Sequence, residues 1–181
     1  MKFIETSING IFIIEPTIFN DDRGYFYESF REDKFIEKIG DIRFIQDNEA
    51  KSNYGVLRGL HYQKDEYAQS KLVRVVIGSV LDVAVDIRKN SPTYGKYVSV
   101  KLSGENKKQF FIPRGFAHGY VVLENNTIFC YKCDNYYAPE HEGSIIYNDP
   151  TININWIIPD QHLIISNKDK NNERFDTKNS S

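Results

Sequence analysis

Hydrophobic and polar residues alternate in short runs through the second half of the chain, a period of two that is typical of β-strands. In residues 80–88 the four odd positions are Leu, Val, Val and Ile, which predicts that one face of this strand packs on the core. Asp82, Asp86 and Arg88 lie on the opposite face. Clusters of Gly, Asn, Ser and Pro separate the runs. The predicted strands are residues 71–77, 80–88, 97–102, 109–112, 118–123 and 127–133.

The first half of the chain contains further strand patterns. Residues 4–14 are rich in isoleucine and are interrupted by Asn9-Gly10, a pair that favours a tight turn between two antiparallel strands. Residues 44–48 predict an extended segment, in which Gln46 and Asn48 lie on the same side. These two amides are therefore expected to face one cavity.

Residues 25–30 are mostly aromatic and also predict a strand. Alternation then places Phe26, Glu28 and Phe30 on one face. A carboxylate on an aromatic face has two interpretations. Either Glu28 lies in water at a strand end, or it meets a partner such as Arg23 at a binding site.

One segment predicts a helix. Ser29 and Glu32 have the spacing of a capping box, and three apolar residues at helical spacing follow before Gly40. Glycine is common just after the last helical turn, so we expect the helix to end there.

Many short strands and a single helix predict an all-β protein, a sandwich or barrel of antiparallel strands. The 181 residues are enough for one domain with a core, but few for two, so we expect a single domain over residues 1–181. After residue 133 the chain is expected to form loops packed on the barrel. Residues 168–181 are polar and predict a surface tail.

Composition narrows the partners. Twenty-three basic and twenty-five acidic side chains give a formal charge of −2, which does not favour a nucleic acid or an anionic membrane surface. No apolar run reaches the roughly twenty residues that cross a bilayer, and a signal-peptide pattern is not recognisable. We therefore expect a cytoplasmic protein.

The two cysteines, Cys130 and Cys133, have a spacing found in redox and zinc motifs. They lie, however, within the predicted strand 127–133, where positions three apart point to opposite faces. A second cysteine pair for a structural zinc site is also missing. We expect neither a disulfide between them nor a zinc site.

Residues 55–63, Gly-Val-Leu-Arg-Gly-Leu-His-Tyr-Gln, place Arg58 and His61 in an apolar, glycine-containing segment. A partly enclosed guanidinium beside an imidazole suits an anionic ligand and proton transfer. The alternative is a hydrogen-bonded core histidine and a salt-bridged arginine.

The segments ending in His61 and His118 resemble the two signature segments of cupin barrels, which commonly hold a transition metal. Here Gln63 stands where the second histidine of the first segment is expected, and no glutamate follows at the usual spacing. Amides bind first-row metals poorly. The prediction is therefore a barrel without a metal, whose imidazoles are available for proton transfer or hydrogen bonding.

Nine segments together carry a family pattern. They are Asp22-Arg-Gly-x-Phe26-x-Glu28-x-Phe30, Gln46-Asp-Asn48, Val56-Leu-Arg-Gly-Leu-His-Tyr-Gln63, Lys71-Leu-Val-Arg, Asp82-Val-Ala-Val-Asp-Ile-Arg88, Ser91-Pro-Thr, Ile112-Pro-x-Gly-Phe-Ala-His118, Tyr136-Tyr137-x-Pro and Trp156. In order and spacing they resemble the dTDP-4-dehydrorhamnose 3,5-epimerases, and the resemblance runs from about residue 4 to about residue 169. It implies a cupin-like jelly-roll β-barrel with one short N-terminal helix and with loops and short helices at the C-terminus.

The resemblance implies a reaction without a cofactor, in which C3 and C5 of dTDP-4-dehydro-6-deoxy-D-glucose are inverted to give dTDP-4-dehydro-L-rhamnose. Such a reaction requires a base, a group that stabilises the enolate oxygen, and an acid on the opposite face. By resemblance His61 is the base, Asp169 orients it, Lys71 faces the enolate oxygen, and Tyr131 is the acid.

The resemblance also implies substrate contacts and an assembly. Arginine and lysine suit the diphosphate, and an aromatic ring suits stacking on thymine. The family forms homodimers with exchanged N-terminal strands, in which Arg23 and Glu28 complete the partner's pocket. The substrate-binding residues implied are Arg23, Phe26, Glu28, Gln46, Asp47, Asn48, Arg58, His118, Tyr137, Glu142 and Lys168.

Three other functions remain open from the sequence. One is an epimerase that inverts only C3 or C5 of another nucleotide-linked 4-keto sugar, because the motifs do not fix the number of inversions. Another is a non-catalytic cupin that binds a sugar nucleotide. The third is a metal-dependent cupin enzyme.

Overall fold

Two antiparallel sheets form the body of the molecule, which the computed structural model describes for residues 1–175. The first sheet has the strand order β1-β2-β10-β7-β12-β5, and the second has the order β13-β6-β11-β8-β9. A two-residue strand, β14, extends the second sheet by pairing in parallel with β6. The strands are β1 Lys2–Glu5, β2 Phe12–Glu15, β3 Phe19–Asp21, β4 Gly24–Phe26, β5 Gln46–Ser52, β6 Val56–Gln63, β7 Lys71–Ile77, β8 Ser79–Asp86, β9 Tyr97–Ser103, β10 Gln109–Ile112, β11 Phe116–Val122, β12 Thr127–Cys133, β13 Glu142–Ser144 and β14 Ile164–Ile165. The helices are α1 Glu32–Ile39 and α2 Asn167–Lys170, and short 3-10 turns lie at Asp65–Tyr67, Pro139–His141 and Asp160–His162.

The core lies between the two sheets. Val73 and Phe129 from the first sheet pack against Ala84, Tyr120 and other side chains of the second. This arrangement confirms the predicted all-β jelly-roll fold with one short N-terminal helix and a C-terminal part of loops and short helices. Within residues 1–175 no helix is long and apolar enough to cross a bilayer.

Strand β8 differs from its prediction because both of its faces are buried. All eight residues of β8 are buried. Its even positions Val80 and Ala84 face the core between the sheets. Its odd positions face a second apolar layer, which the C-terminal loops close with Trp156. The two carboxylates of the strand, Asp82 and Asp86, are therefore fully buried, whereas the sequence pattern placed them opposite the core.

The aromatic segment 25–30 is a strand only to Phe26. It pairs with β3 alone, in a two-stranded hairpin outside both sheets. Beyond the hairpin Phe30 turns inward and packs against Phe35 and Phe44, with ring centroids 5.0 and 5.4 Å away. The predicted common face of residues 26, 28 and 30 is therefore wrong.

Helix α1 ends as predicted but begins differently. Gly40 closes it at a positive φ of 115°, and its N–H donates to the Ile36 carbonyl. The N-cap, however, is Arg31, whose side chain makes no capping hydrogen bond. Ser29 lies two residues too early, and its carbonyl accepts from Gln109 Nε2 at 2.7 Å. The capping box is thus absent.

Asp86 explains the Ser91-Pro-Thr segment in structural terms. Its carboxylate accepts from Arg88 Nε at 2.9 Å, from Ser91 Oγ at 2.5 Å and from Thr93 Oγ1 at 2.6 Å. Burial alone raises the pKa of Asp86, but these donors outweigh it and hold the pKa at about 2. The segment after β8 is therefore tied to the end of that strand.

Two glycines let β6 and β11 approach closely enough to bring His61 opposite His118. Gly59 has a φ of +135°, and a Cβ there would lie 2.6 Å from the Gly119 Cα. A Cβ on Gly119 would lie 2.8 Å from the Arg58 carbonyl oxygen. Neither position has room for a side chain, because the obstructing atoms belong to the backbone.

We expect Gly59→Ala to lower the free energy of unfolding by about 4 kcal/mol or more, since it combines an unfavourable φ with a backbone clash. The matched control is Gly40→Ala, which has a similar φ of +115° but open space around the Cβ. Gly40→Ala should lower the free energy of unfolding only by the cost of the positive φ, about 1–3 kcal/mol. Urea denaturation of the two variants measures the difference, and equal losses would contradict the steric explanation.

Candidate active site

A cavity of about 510 Å³ opens between the two sheets. A smaller cavity of about 250 Å³ adjoins it, since His61, Lys71 and Tyr131 line both. The first sheet contributes Lys71 and Tyr131, and the second contributes His61 and His118. The cavities therefore have titratable groups on both walls.

His61 is held by the C-terminal segment. Its Nε2 lies 2.7 Å from Asp169 Oδ1, and the Asp169 side chain is only 5% exposed. The N–H of Gly59 donates to the other carboxylate oxygen at 3.4 Å. Because a carboxylate accepts the Nε2 hydrogen, Nδ1 is left as the basic nitrogen of a neutral ring. His61 is thus arranged to take up a proton.

Asp169 is buried although it belongs to the predicted polar tail. Strand β14 pairs with β6 just before it, and Ser166 Oγ then caps α2 by accepting from the Asp169 N–H at 3.1 Å. Burial raises the pKa of Asp169, but the hydrogen bond from His61 and the other donors outweigh this and lower it overall. The surface-tail prediction is therefore wrong for Asp169, whereas Lys168 and Lys170 are exposed. Residues 176–181 lie outside the described part of the chain.

Lys71 begins β7 and lines both cavities. No described residue forms an ion pair or a hydrogen bond with its ammonium group. Burial lowers the pKa of Lys71 from its ordinary value. Three acidic groups act in the opposite direction, namely Cys133, Asp82 and Glu142. An ammonium group that faces a cavity and has no partner among the described residues is suited to stabilise a developing oxyanion.

Tyr131 lies on β12 in the sheet opposite His61. Within the described chain its hydroxyl has no hydrogen-bond partner. Burial raises the pKa of Tyr131, so the phenol keeps its proton at neutral pH. The geometry therefore places a proton donor across the cavity from the imidazole.

His118 also lines the larger cavity, but it is 7% exposed and paired. Its Nε2 lies 2.8 Å from Asp82 Oδ1. Sequence reasoning missed Asp82 as a site residue. The signal was a carboxylate in the middle of an apolar strand, which the alternation rule placed on the face opposite the core.

Several predicted binding residues meet around Glu142. Its Oε2 accepts from Lys168 Nζ at 2.6 Å and from the Tyr137 hydroxyl at 2.9 Å. The Tyr137 N–H donates to Gln46 Oε1 at 3.0 Å, and Gln46 Nε2 donates to Asn48 Oδ1 at 3.1 Å. Gln46 and Asn48 thus share one cavity wall, as the sequence predicted.

Arg58 and Asp47 do not belong to the group of residues around Glu142. Arg58 is exposed at the cavity mouth, where its guanidinium donates to Ser52 Oγ at 3.3 Å, so it is less enclosed than expected. Asp47 points to the outer face of β5 and forms an ion pair with Lys132 at 2.7 Å. Strand alternation accounts for this, because its neighbours Gln46 and Asn48 face inward.

The N-terminal candidates are not brought to the cavity within the single chain. Arg23 is 90% exposed and pairs with Asp21 in the β3–β4 hairpin. Phe26 is 65% exposed in the same hairpin. Glu28 lies 3.6 Å from Arg31 rather than near Arg23. None of the three lines either cavity.

The cysteines occupy opposite faces of β12, as predicted. The thiol of Cys130 lies 3.7 Å from Glu49 on the outer side, whereas Cys133 is buried 3.9 Å from the Asn48 amide. Both are free thiols. Among residues 1–175 no group of three or more His, Cys, Asp or Glu side chains is arranged to hold a metal ion.

Comparison with known proteins gives one consistent result. A family model described as dTDP-4-dehydrorhamnose 3,5-epimerase matches residues 5–177. The dTDP-4-dehydrorhamnose 3,5-epimerase of Shigella flexneri is 52% identical over 176 residues, which are 97% of this chain and 96% of the relative.

Two crystal structures are similar over nearly the whole chain. That of dTDP-4-dehydrorhamnose 3,5-epimerase from Elizabethkingia anophelis NUHP1 is 54% identical, with a TM-score of 0.95 and coverage of 99% of this chain and 98% of the other. That of dTDP-6-deoxy-D-glucose-3,5-epimerase from Legionella pneumophila Philadelphia 1, in complex with dTDP-4-keto-L-rhamnose, is 50% identical. Its TM-score is 0.92, with coverage of 98% and 96%.

Proposed function

This chain belongs to the dTDP-4-dehydrorhamnose 3,5-epimerase family, and we propose that it inverts C3 and C5 of dTDP-4-dehydro-6-deoxy-D-glucose to give dTDP-4-dehydro-L-rhamnose. The observation that carries this proposal is the placement of His61 and Tyr131 on opposite sheets across one cavity, with Lys71 on the same wall as Tyr131. A base on one face and an acid on the other are what inversion next to a ketone requires.

In the proposed reaction His61 Nδ1 removes a proton from the carbon beside the C4 ketone. The electron pair of the broken C–H bond moves into the ring and onto the ketone oxygen, where the Lys71 ammonium stabilises the enolate. Tyr131 then donates its proton to the opposite face of the same carbon. The imidazolium of His61 and the phenolate of Tyr131 return to their starting states by exchange with water.

Asp169 supports this role of His61 in two ways. It fixes the ring so that Nδ1 is the basic nitrogen, and its negative charge stabilises the imidazolium that forms. Because the carboxylate is buried, water screens this charge only weakly. The C-terminal segment is therefore part of the proposed machinery, not a passive tail.

The other predicted binding residues are proposed to hold the nucleotide. Arg58 at the mouth and Lys168 at the rim carry charges that suit a diphosphate. Tyr137 is 53% exposed and its ring is free to stack on thymine. Gln46, Asn48 and Glu142 supply amide and carboxylate groups to the smaller cavity, where they are proposed to bond the sugar and base.

The proposed assembly is a homodimer. The β3–β4 hairpin belongs to neither sheet and exposes Phe19, Tyr25 and Phe26 by 61, 55 and 65%. An exposed aromatic hairpin suits burial against a second copy. In this arrangement Arg23, Phe26 and Glu28 reach the partner's pocket. Asp47, paired with Lys132, takes no part in the proposed site.

The proposed enzyme is one domain without a cofactor and acts in the cytoplasm. A substrate with a charged diphosphate does not pass freely through a bilayer, so the enzyme must share a compartment with it.

The test is incubation of the protein with dTDP-4-dehydro-6-deoxy-D-glucose in deuterated water, with NMR of the product. We expect deuterium at both C3 and C5 and the L-rhamno configuration. Label and inversion at one carbon would indicate a single-carbon epimerase. If the sugar is neither labelled nor converted, the result favours a binding protein. Activity that a chelator abolishes would indicate a metal-dependent enzyme.

A further inference from the structure

Tyr120 is a tyrosine of β11 to which the proposed reaction assigns no role. It is only 5% exposed, and it lines the larger cavity together with His61, Lys71 and Tyr131. Its ring stacks on Phe129 of the opposite sheet, with centroids 4.0 Å apart and planes inclined by 19°. Burial and stacking therefore hold the phenol in one place on the cavity wall.

The hydroxyl of Tyr120 has no hydrogen-bond partner among residues 1–175. Its oxygen is not one of the fully enclosed polar atoms, so it is accessible from the cavity that the ring lines. Burial raises the pKa of Tyr120, and the phenol therefore keeps its proton at neutral pH. A neutral phenol both donates and accepts a hydrogen bond, which suits an uncharged polar group of a ligand.

The cavity wall around this hydroxyl is largely apolar. Ligand sites of this kind use a few placed polar groups to fix the orientation of a molecule that apolar side chains otherwise enclose. A hexose matches such a wall, because it has C–H faces as well as hydroxyl groups. The apolar residues that line the larger cavity are Ala50, Val56, Leu57, Phe129, Ile164 and Ile165.

Strand register locates the hydroxyl along the proposed substrate. In the pairing of β11 with β6, His118 lies opposite His61, and Tyr120 lies opposite Arg58. Tyr120 is therefore about 7 Å along β11 from the level of the proposed base, on the side of Arg58. Arg58 is the proposed diphosphate ligand at the cavity mouth. Tyr120 thus lies at the diphosphate end of the hexose.

The substrate carries hydroxyls only at C2 and C3 of its ring. C3 is a reacting carbon, whereas C2 lies between C3 and the anomeric carbon that bears the diphosphate. The configuration at C2 also stays the same when C3 and C5 invert. The C2 hydroxyl is therefore the group that matches the level of Tyr120.

We propose that Tyr120 is a substrate-binding residue whose hydroxyl forms a hydrogen bond with the C2 hydroxyl of the hexose. The inference rests on the proposed function, because it takes the reacting carbons to lie between His61 and Tyr131. Tyr120 orients the sugar and takes no part in proton transfer.

The experiment compares wild type with Tyr120→Phe, which removes one oxygen and keeps the ring on Phe129. Calorimetry measures the affinity for dTDP-6-deoxy-D-glucose, which has no ketone and is not epimerised, for its 2-deoxy analogue, and for dTDP. We expect wild type to bind the first ligand about tenfold more tightly than the 2-deoxy analogue. Tyr120→Phe should lose this preference and bind dTDP as wild type does. Tyr147→Phe, in the outer apolar layer, is the control that should keep the preference.

Thermal unfolding of the ligand-free protein separates binding from a structural role. Because the hydroxyl has no partner in the described chain, Tyr120→Phe should have a Tm equal to or above that of wild type. A lower Tm would show that the hydroxyl stabilises the fold, and it would overturn the inference.

Turnover separates binding from proton transfer. In Tyr120→Phe we expect kcat/KM for the ketosugar to fall by about tenfold, while deuterium still enters both C3 and C5. Loss of deuterium at one of the two carbons would identify Tyr120 as a proton donor, which also overturns the inference.

Two binding results contradict the proposed contact. One is a preference for the 2-hydroxyl that persists in Tyr120→Phe, and the other is an equal loss of affinity for dTDP. If the preference is lost in the variant but wild type converts no ketosugar, the proposed function fails and the contact of Tyr120 stands. If wild type inverts both carbons and the preference persists in the variant, only the present inference fails.

Discussion

His61→Asn is expected to lower kcat by about 10²- to 10⁴-fold and to abolish deuterium incorporation at both carbons, because the variant lacks the proposed base. Asparagine is shorter than histidine, and its amide does not reach the position of Nε2, so the 2.7 Å contact with Asp169 is lost together with the imidazole. The amide cannot act as a base, and the separate measurement of dTDP binding distinguishes this loss of basicity from a loss of structure.

The measurement is an exchange assay in deuterated water beside a turnover assay, with binding of dTDP followed separately. His162→Asn is the matched control, since His162 is an exposed histidine that contacts Tyr54 outside both cavities. Its kinetics should equal those of the wild type. Persistent exchange in His61→Asn would mean that another residue removes the proton, and the proposed base would be wrong.

Tyr131→Phe is expected to separate proton exchange from inversion. His61 remains able to remove a proton and to return one to the same face, so deuterium should still enter the substrate with retained configuration. Inversion needs a donor on the opposite sheet, and its rate should fall by about 10²- to 10⁴-fold. The ring itself is kept, so packing against Phe129, whose centroid lies 5.9 Å away, should hardly change.

NMR of the recovered sugar distinguishes labelled starting material from labelled product. Tyr147→Phe, a half-buried tyrosine of the outer apolar layer, serves as the control and should behave as wild type. If Tyr131→Phe loses both deuterium exchange and inversion, the tyrosine takes part in the first proton transfer. Normal inversion would remove it from the mechanism.

The sequence patterns predicted an element correctly where alternation within one strand, or one turn residue, set its bounds. Strands 71–77, 109–112 and 127–133 have the predicted bounds, and the helix ends at Gly40. These elements depend on neighbours within a few residues. The prediction that the strand continues through residues 27–30 is wrong. Phe30 packs against Phe44, a partner distant in sequence, instead of continuing the strand.

The same distinction applies to the site. The family resemblance implied that His61, Lys71 and Tyr131 take part in one reaction, and all three line one cavity. Local patterns did not show that Arg23, Phe26 and Glu28 lie outside that cavity in the single chain, because contacts between distant parts of a chain leave no period in the sequence. They also did not reveal the environment of Asp82, which depends on two layers packing on both sides of β8.

By itself the sequence determined the all-β class, the single N-terminal helix, and the residue types required for proton transfer beside a ketone, because alternation, turn residues and motif spacing are local properties. Only the tertiary structure decided which carboxylates are buried and which wall each titratable group occupies. A carboxylate becomes buried, and two titratable groups come to face each other across a cavity, only when strands distant in sequence pair and the two sheets pack together. For that reason the placement of Asp169 on His61, and of Asp82 on His118, could be seen only in the folded chain.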